Sequence, residues 1–321
     1  MKDLSLDLSL MVAVVVVAAC LAGKLEPLSG GAVIWQLLRP KHVEPFLCRE
    51  RKQMRLVDKT EVSPDTYRFL FALQDPNQPL GLPVGQHLKV FGPNVPGVVP
   101  GEWNGKPDLE SSAKEISRKY SPVSSSTARG TVELVVKVYS KQQVPPFLDG
   151  GKMSQFLQTL QIGDKIDVQG PFGKAKYNGR GSFSLASRVT SKKKVGLLAG
   201  GTGITPIFQL IRRVLEDHAD PTQLFLVYAN KREEDILLRD EIEELENEYP
   251  DRLSVWYTLE FPPAGWKYSS GFISKEMIQG HLPPPSVDTL VMCCGPRAMI
   301  ENACLRNLAE VGYDREDIFC F

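Results

Sequence analysis

Arg118-Lys119-Tyr120-Ser121-Pro122-Val123-Ser124 is followed, in the second half of the chain, by Gly200-Gly201-Thr202-Gly203-Ile204-Thr205-Pro206. The first stretch sets a guanidinium, a phenol and hydroxyls along an extended segment. The second is a glycine-rich turn after a short apolar run. Their order suggests two modules, one for a phosphate-bearing flavin and one for a phosphate-bearing dinucleotide. Such a chain would move electrons.

The segments around these two stretches follow different grammars. Met54 to Val57 and Thr66 to Leu73 read as strands, with β-branched and aromatic residues. Gly81 to Phe91 is a turn leading into a strand, and Thr131 to Tyr139 and Lys165 to Gln169 are further strands. Met153 to Leu160 has helical character, with Gly150 and Gly151 at its start. Short strands with one inserted helix predict a small antiparallel barrel over residues 51–184. Gly92 to Ser117, rich in Gly, Pro, Asn, Ser and charge, reads as a surface loop. After a polar, basic connector (Ser187 to Lys194), strands alternate with helices. The strands are Val195 to Ala199, Gln223 to Ala229, Leu253 to Leu259 and Thr289 to Cys294. The helices are Pro206 to Leu215, Glu233 to Glu248, Lys275 to His281 and Met299 to Val311. Alternation of this kind predicts a parallel-sheet nucleotide-binding domain over 185–321.

Composition sets the bounds. A chain of 321 residues is long enough for two ordinary domains. Lys and Arg total 38, as do Asp and Glu, so the whole chain has no electrostatic bias toward nucleic acid. The cysteines are Cys20, Cys48, Cys293, Cys294, Cys304 and Cys320, and no spacing among them matches a zinc or iron–sulfur framework. Reduced thiols in a cytosolic setting are the better reading.

The N-terminus reads LSLMVAVVVVAACLAG from Leu8 to Gly23 without a charge. Extended back to Leu4 it is roughly twenty residues long, one bilayer crossing, at the cost of including Asp7. Three readings compete: an N-terminal membrane anchor over 1–23, a cleaved secretory signal, and a lipoprotein site at Cys20. The anchor is preferred, because Asp3 and Asp7 cancel the positive charge a signal needs. Lys24, Arg39, Lys41, Arg49, Arg51 and Lys52 then place the downstream domain on the cytoplasmic side. Residues 24–50 read as a linker broken by Pro27, Gly30, Gly31, Pro40 and Pro45, with a short apolar stretch, Ala32 to Leu38, suited to a membrane surface.

Chemistry concentrates in a few places. Glycines at Gly200, Gly201 and Gly203 let backbone approach a pyrophosphate, and the helix that follows favours an anion. By themselves they fit a plain tight turn equally well, and their spacing is not G-x-G-x-x-G. Cys294-Gly295-Pro296 ends a later strand of the same sheet, so both turns are predicted to face one pocket. Arg118 suits bidentate pairing with a phosphate, Tyr120 suits an aromatic ring and a ribityl hydroxyl, and Gly151-Lys152-Met153-Ser154 opens a helix. Taken singly, Arg118 and Tyr120 read as a surface Arg and a core Tyr.

In order, RKYSPVSS, ELVVKVYS, GGKMSQFL, GPFG, GLLAGGTGITP, CGPRAMI and the terminal FCF resemble the NADH–cytochrome b5 reductase family, within the ferredoxin-reductase-like flavoproteins. GLPVGQHL and DILLRDEIEEL strengthen the resemblance, which runs from about Val57 to Phe321. It implies that Arg118, Lys119, Tyr120 and Ser121 hold the FAD phosphate and flavin. Val135 and Lys137 would line the flavin site, and Lys152, Met153 and Ser154 would bind the FAD pyrophosphate. Thr205 would meet the flavin. Gly201, Thr202, Gly203, Cys294, Gly295 and Pro296 would contact NADH. Glu260 stands where the family usually has Asp for the adenine ribose, which implies NADH over NADPH.

The implied reaction is hydride transfer from NADH to FAD, then single-electron steps to cytochrome b5 or a similar haem protein, with Lys152 and Lys174 on a basic rim. The implied location is the endoplasmic reticulum or the mitochondrial outer membrane, with the catalytic part facing the cytosol. A related flavin reductase serving another acceptor is one alternative. A non-catalytic, membrane-tethered nucleotide-binding adaptor is the other. Three departures from the family pattern stand out. Lys119 replaces a Pro, Arg297-Ala298 replaces Pro-Pro, and the Gly92 to Ser117 loop is longer than the family norm.

Overall fold

The fold positions the site by leaving a gap in one sheet and bringing two turns together at the end of another. A computed structural model describes residues 43–142 and 147–321. The expected anchor over 1–23 and the apolar stretch Ala32 to Leu38 lie outside the described residues. Among the described residues, no helix is long and apolar enough to cross a membrane.

The first sheet is built from β1 (Lys52–Ser63), β2 (Thr66–Ala72), β3 (His87–Pro93), β6 (Glu115–Tyr120), β7 (Thr131–Lys137) and β8 (Lys165–Phe172). Its order is β6-β3-β8-β1-β2-β7, antiparallel at every pairing. Alternating residues make this a half-buried surface. Leu88 and Val90 on β3 are fully buried, while His87, Lys89 and Phe91, which alternate with them, are not. Phe46 and Leu47, from the stretch read as a linker, join the same core, and their N–H groups donate to Pro79 and Leu80. Strands β6 and β7 are the outer strands and do not pair with each other. Helix α1 (Lys152–Thr159) covers the sheet through Met153 and Leu157. The long loop before β6 contains a small hairpin, β4 (Glu102–Trp103) with β5 (Lys106–Pro107).

A meander of β9 (Ala175–Gly179), β10 (Ser182–Leu185) and β11 (Arg188–Ser191) links the two halves. The stretch expected to be a connector therefore begins as a strand, because Val189 and Thr190 pair with Ser184 and Phe183.

The second sheet is parallel, in the order β15-β14-β13-β12-β16-β17. Its members are β12 (Lys194–Gly200), β13 (Gln223–Asn230), β14 (Leu253–Leu259), β15 (Ser269–Ser270), β16 (Thr289–Cys294) and β17 (Ile318–Cys320). Strands covered on both faces read as continuous apolar runs, and Val195, Leu197, Leu198 and Ala199 are all fully buried. The crossover helices are α2 (Ile204–Glu216), α3 (Arg239–Glu248), α4 (Lys275–His281) and a last helical stretch that ends as α5 (Arg306–Val311). The helix expected from Glu233 starts later. Leu238 takes a left-handed φ of 57°, and Ile236, Leu237 and Leu238 turn into the core.

One apolar cluster spans both halves, combining Val84, Val123, Val135 and Tyr177 with Ile204, Ile207, Phe208 and Ile211. Polar contacts cross the same seam. Gln209 accepts from the Gly85 N–H at 2.8 Å, and Arg212 donates to the Val123 carbonyl at 2.9 Å. Asp220 is the most connected of these groups. It accepts from the Thr222 N–H (3.0 Å) and hydroxyl (2.6 Å), the Arg180 N–H (2.9 Å) and the Tyr177 hydroxyl. Burial pushes its carboxyl up, but the hydrogen bonds from Thr222, Tyr177 and Arg180 outweigh burial and hold it below its ordinary value. A depressed native value means that its contribution is complete above the unfolded carboxylate range and lost as pH falls through the native value. We expect Asp220→Asn to cost about 1–3 kcal/mol at neutral pH. Urea unfolding of both proteins across the acid range should show the difference narrowing as pH falls; a difference independent of pH would contradict it.

Candidate FAD and NADH site

The gap between β6 and β7 is the first half of the site. Strands β6 and β7 do not pair with each other, and side chains of both border the opening. A cavity of about 310 Å3 is lined by Arg118, Lys119 and Tyr120 from β6, Val135, Val136 and Lys137 from β7, Tyr139, Gly151 to Ser154, and Thr202 and Thr205. Burial pushes the Tyr120 phenol well above its ordinary value, so it keeps its proton and can donate. The first-turn N–H groups of α1 have no intrahelical acceptor and point out of its N-terminus beside Gly151. The Ser154 hydroxyl ties that turn to β7's extension by accepting from the Tyr139 N–H at 3.2 Å.

Three of its four cations, Arg118, Lys152 and Lys137, are ion-paired. Arg118 makes a two-pronged contact with Glu110, at 2.8 and 2.6 Å. Lys152 is buried, with its ammonium 2.7 Å from Asp108 and 4.8 Å from the Trp103 ring centre. Its side chain is therefore committed to Asp108, and its backbone N–H is what remains for a phosphate. Lys137 sits 3.0 Å from Asp65 and 2.7 Å from Asp235, which joins the two halves. Burial alone would lower its ammonium's pKa; the hydrogen bonds to Asp235 and Asp65 reverse that and keep it charged.

A second cavity, of about 880 Å3, opens at the carboxyl ends of β12 and β16. Gly200 to Gly203, Thr205, Pro206, Cys294, Gly295 and Pro296 line it, with Ser121, His87, Lys174 and the C-terminal Phe319, Cys320 and Phe321. The two turns touch through backbone. A Cβ on Gly203 would lie 2.2 Å from the Cys294 carbonyl oxygen, and one on Gly200 would lie 2.4 Å from the Met299 sulfur. Gly201 has a positive φ of 51° and open space where a side chain would stand, a cradle that admits a diphosphate. The Tyr228 hydroxyl donates to the Gly201 carbonyl at 3.0 Å and so fixes the turn from below. Burial pushes the Cys294 thiol up to about 12, so it is a neutral contact and not a nucleophile. Burial, then Lys119 and Lys89, lower the His87 imidazole, leaving it neutral.

Lys119, Tyr139, Thr202 and Thr205 line both cavities, which makes them one continuous cleft. Of the residues expected from sequence, Glu260 alone lines neither cavity. It follows β14, its N–H donating to the Asn230 carbonyl at 3.0 Å. Tyr139, His87 and Phe321 went unassigned in the sequence. Their signal was position alone: each lies inside a quoted motif, Tyr139 in ELVVKVYS, His87 in GLPVGQHL and Phe321 in the terminal FCF.

Residues 53–99 and 106–177 match an oxidoreductase FAD-binding domain, and 197–305 match an oxidoreductase NAD-binding domain. NADH-cytochrome b5 reductase 3 of Rattus norvegicus is 46% identical over 274 residues, covering 84% of this chain and 85% of that protein. The chain belongs to the NADH–cytochrome b5 reductase family. A human member, NADH-cytochrome b5 reductase 1, is 43% identical over 278 residues, 85% of this chain and 86% of its own length. The cytochrome b5 reductase domain of Ulva prolifera nitrate reductase superposes with a TM-score of 0.79 at 35% identity, covering 87% of this chain and all of that domain. Family membership, the two matched domains and the donor set agree on FAD and NADH as cofactors. The guanidinium, the protonated phenol, the open helix N-terminus and the side-chain-free Gly201 cradle suit the phosphates and rings of such ligands.

Proposed function

We propose that the protein passes electrons from NADH through FAD to cytochrome b5. The observation that carries this reading is the continuity of the two cavities through Lys119, Tyr139, Thr202 and Thr205. Flavin and nicotinamide subsites that share walls let the reacting rings meet without leaving the protein.

Arg118, Lys119, Tyr120, Ser121, Val135 and Lys137 would hold FAD, and the N-terminus of α1 at Lys152, Met153 and Ser154 would receive its diphosphate. Thr205 stands at the flavin face. Gly201, Thr202, Gly203, Cys294, Gly295 and Pro296 would hold NADH. The bound flavin supplies the chemistry, accepting an electron pair from NADH and releasing electrons singly. The chain's residues bind, orient and exclude water. Tyr120 donates from a phenol held in its neutral form, and the neutral Cys294 thiol gives a soft, uncharged contact to the nicotinamide side. Residues 51–184 form the FAD domain and 185–321 the NADH domain. Residues 1–23 anchor the protein to a membrane, either endoplasmic reticulum or mitochondrial outer membrane, and the linker that follows ends before Phe46 and Leu47, which pack into the first core; the cleft faces the cytosol, and a haem protein docks at a rim that includes Lys174 but not the buried Lys152.

Anaerobic titration of the detergent-solubilised full chain tests the reading. NADH should bleach the flavin absorbance at a concentration at least about tenfold below that needed with NADPH, because a carboxylate repels a 2′-phosphate. Glu260→Gln should narrow that ratio. An unchanged ratio would remove Glu260 as the discriminating group, and a folded protein that takes up no FAD would remove the reductase reading.

A further inference from the structure

The loop before β6 carries the counter-ions of the cofactor cations. Asp108 and Glu110 lie next to each other in space, the Glu110 N–H donating to Asp108 at 3.0 Å. Asp108 takes Lys152 at 2.7 Å and Glu110 takes Arg118 at 2.6 Å, with Lys152 a more distant 3.8 Å neighbour of Glu110. The loop is held in place from the same side. Trp103 donates its indole N–H to the Gly150 carbonyl at 3.0 Å. Asn104 accepts from the N–H groups of Asp149 and Gly150, at 2.7 and 3.1 Å. Asp149 in turn accepts from the N–H groups of Val98 and Asn104, both at 2.6 Å. Trp103 and Asn104 fall in the stretch 100–105 that separates the two matched parts of the FAD-binding domain. This is the part of the loop that distinguishes the chain from the general pattern.

The two pairs differ in kind. The side chains of Lys152 and Asp108 are 2% and 7% exposed, those of Arg118 and Glu110 41% and 38%. A buried pair separates only by leaving a charge unmatched, so Lys152 keeps Asp108 whatever else binds. A half-exposed pair is weak, because water and salt compete for it, and it exchanges readily. Glu110 nevertheless engages both terminal nitrogens of Arg118, the same fork that a phosphate takes. The Arg118 hydrogen bond holds the Glu110 carboxyl below its ordinary value, so it is anionic wherever the enzyme works.

We infer that Glu110 is an internal competitor for the FAD diphosphate: carboxylate and phosphate contend for the same two N–H donors of Arg118, and FAD enters by displacing Glu110, while Asp108 stays on Lys152. The inference rests on the FAD site described under the proposed function. It makes the inserted loop a setting for cofactor affinity, with Glu110 working against retention.

The test is FAD binding to the full-length apoprotein, followed by quenching of flavin fluorescence. Glu110→Gln keeps the side chain's size and removes its charge. We expect it to tighten FAD about three- to tenfold, chiefly through faster association, with the thermal midpoint of the apoprotein unchanged. Glu115→Gln is the control, since Glu115 is similarly exposed and pairs with Arg51 at 2.6 Å; it should leave FAD affinity alone. In an Arg118→Ala background, Glu110→Gln should gain clearly less, because there is no fork left to release. Equal or weaker binding by Glu110→Gln overturns the competition, and so does an equal gain from Glu115→Gln or an undiminished gain without Arg118. If wild type and every variant fold but take up no FAD, the cofactor assignment fails with it.

Discussion

Arg118→Ala is expected to give a protein that folds normally and is purified largely without flavin. Arg118 lines the β6–β7 cavity and, among the described residues, is its one guanidinium. A charge-assisted bond to a phosphate contributes about 1.5–3 kcal/mol, which is about 10- to 100-fold in FAD affinity. Stability should hardly move, since the side chain is 41% exposed and its partner Glu110 returns to water when released. Fluorescence titration of the apoprotein with FAD reads the affinity, and a urea melt reads the fold. FAD affinity within about twofold of wild type would move the phosphate elsewhere, toward the α1 N-terminus alone. Arg118→Lys is informative beside it: the charge survives but the fork does not, so partial retention would separate geometry from charge.

What could be read from the chain depended on how local the determining interactions are. The parallel strands announce themselves because both faces are covered, so Val195 to Ala199 and Thr289 to Val291 are apolar at every position but Thr289 and Gly196. The antiparallel sheet was legible through alternation, as in β3. The residues of the cleft were legible as motifs because each group of them lies within one turn or strand end. What escaped notice was set by partners distant in sequence. The hairpin of β4 and β5 is only two residues a side, and its loop is held by Asp149, Gly150 and Lys152. No period links Asp108 to Lys152, so neither the burial of that ammonium nor the shielding of Arg118 was visible. The late start of α3 has the same origin: Glu233 to Glu248 has the composition of one helix, but the buried Ile236, Leu237 and Leu238 turn the chain inward before it. Strand β17 is too short to show a pattern, yet it pairs with Met292 and Cys293 and brings Phe321 to the cleft. Glu260 shows the converse. Its place at the end of β14 was legible, but an end-of-strand position does not by itself put a side chain on a cavity wall.

Gly203→Ala is expected to cripple both NADH binding and the second domain. Gly203 has φ −63° and ψ −9°, which any residue adopts, so backbone strain is not the issue. Gly203 is the N-cap of α2, a position where alanine is somewhat worse than glycine, but that preference is not the main cost. The obstacle is contact: the new Cβ would stand 2.2 Å from the Cys294 carbonyl oxygen, 2.5 Å from its carbon and 2.8 Å from the Gly295 nitrogen. These are backbone atoms at the end of β16, which cannot rotate aside as a side chain would. Relief requires the two turns to separate, at a cost of about 3 kcal/mol for overpacking of this kind. The same separation opens the NADH subsite, because Gly201 to Gly203 and Cys294 to Pro296 form its two walls. NADH affinity should fall by about 100-fold or more, while FAD, held mainly by the first domain, should remain bound. Gly280→Ala is the matched control. It lies in α4 with no atom within 4 Å of the added carbon, so it should be neutral or slightly stabilising. Near-wild-type NADH affinity in Gly203→Ala would mean that the turns can part without consequence, and the close approach of the β12 and β16 ends would then not be what shapes the dinucleotide site.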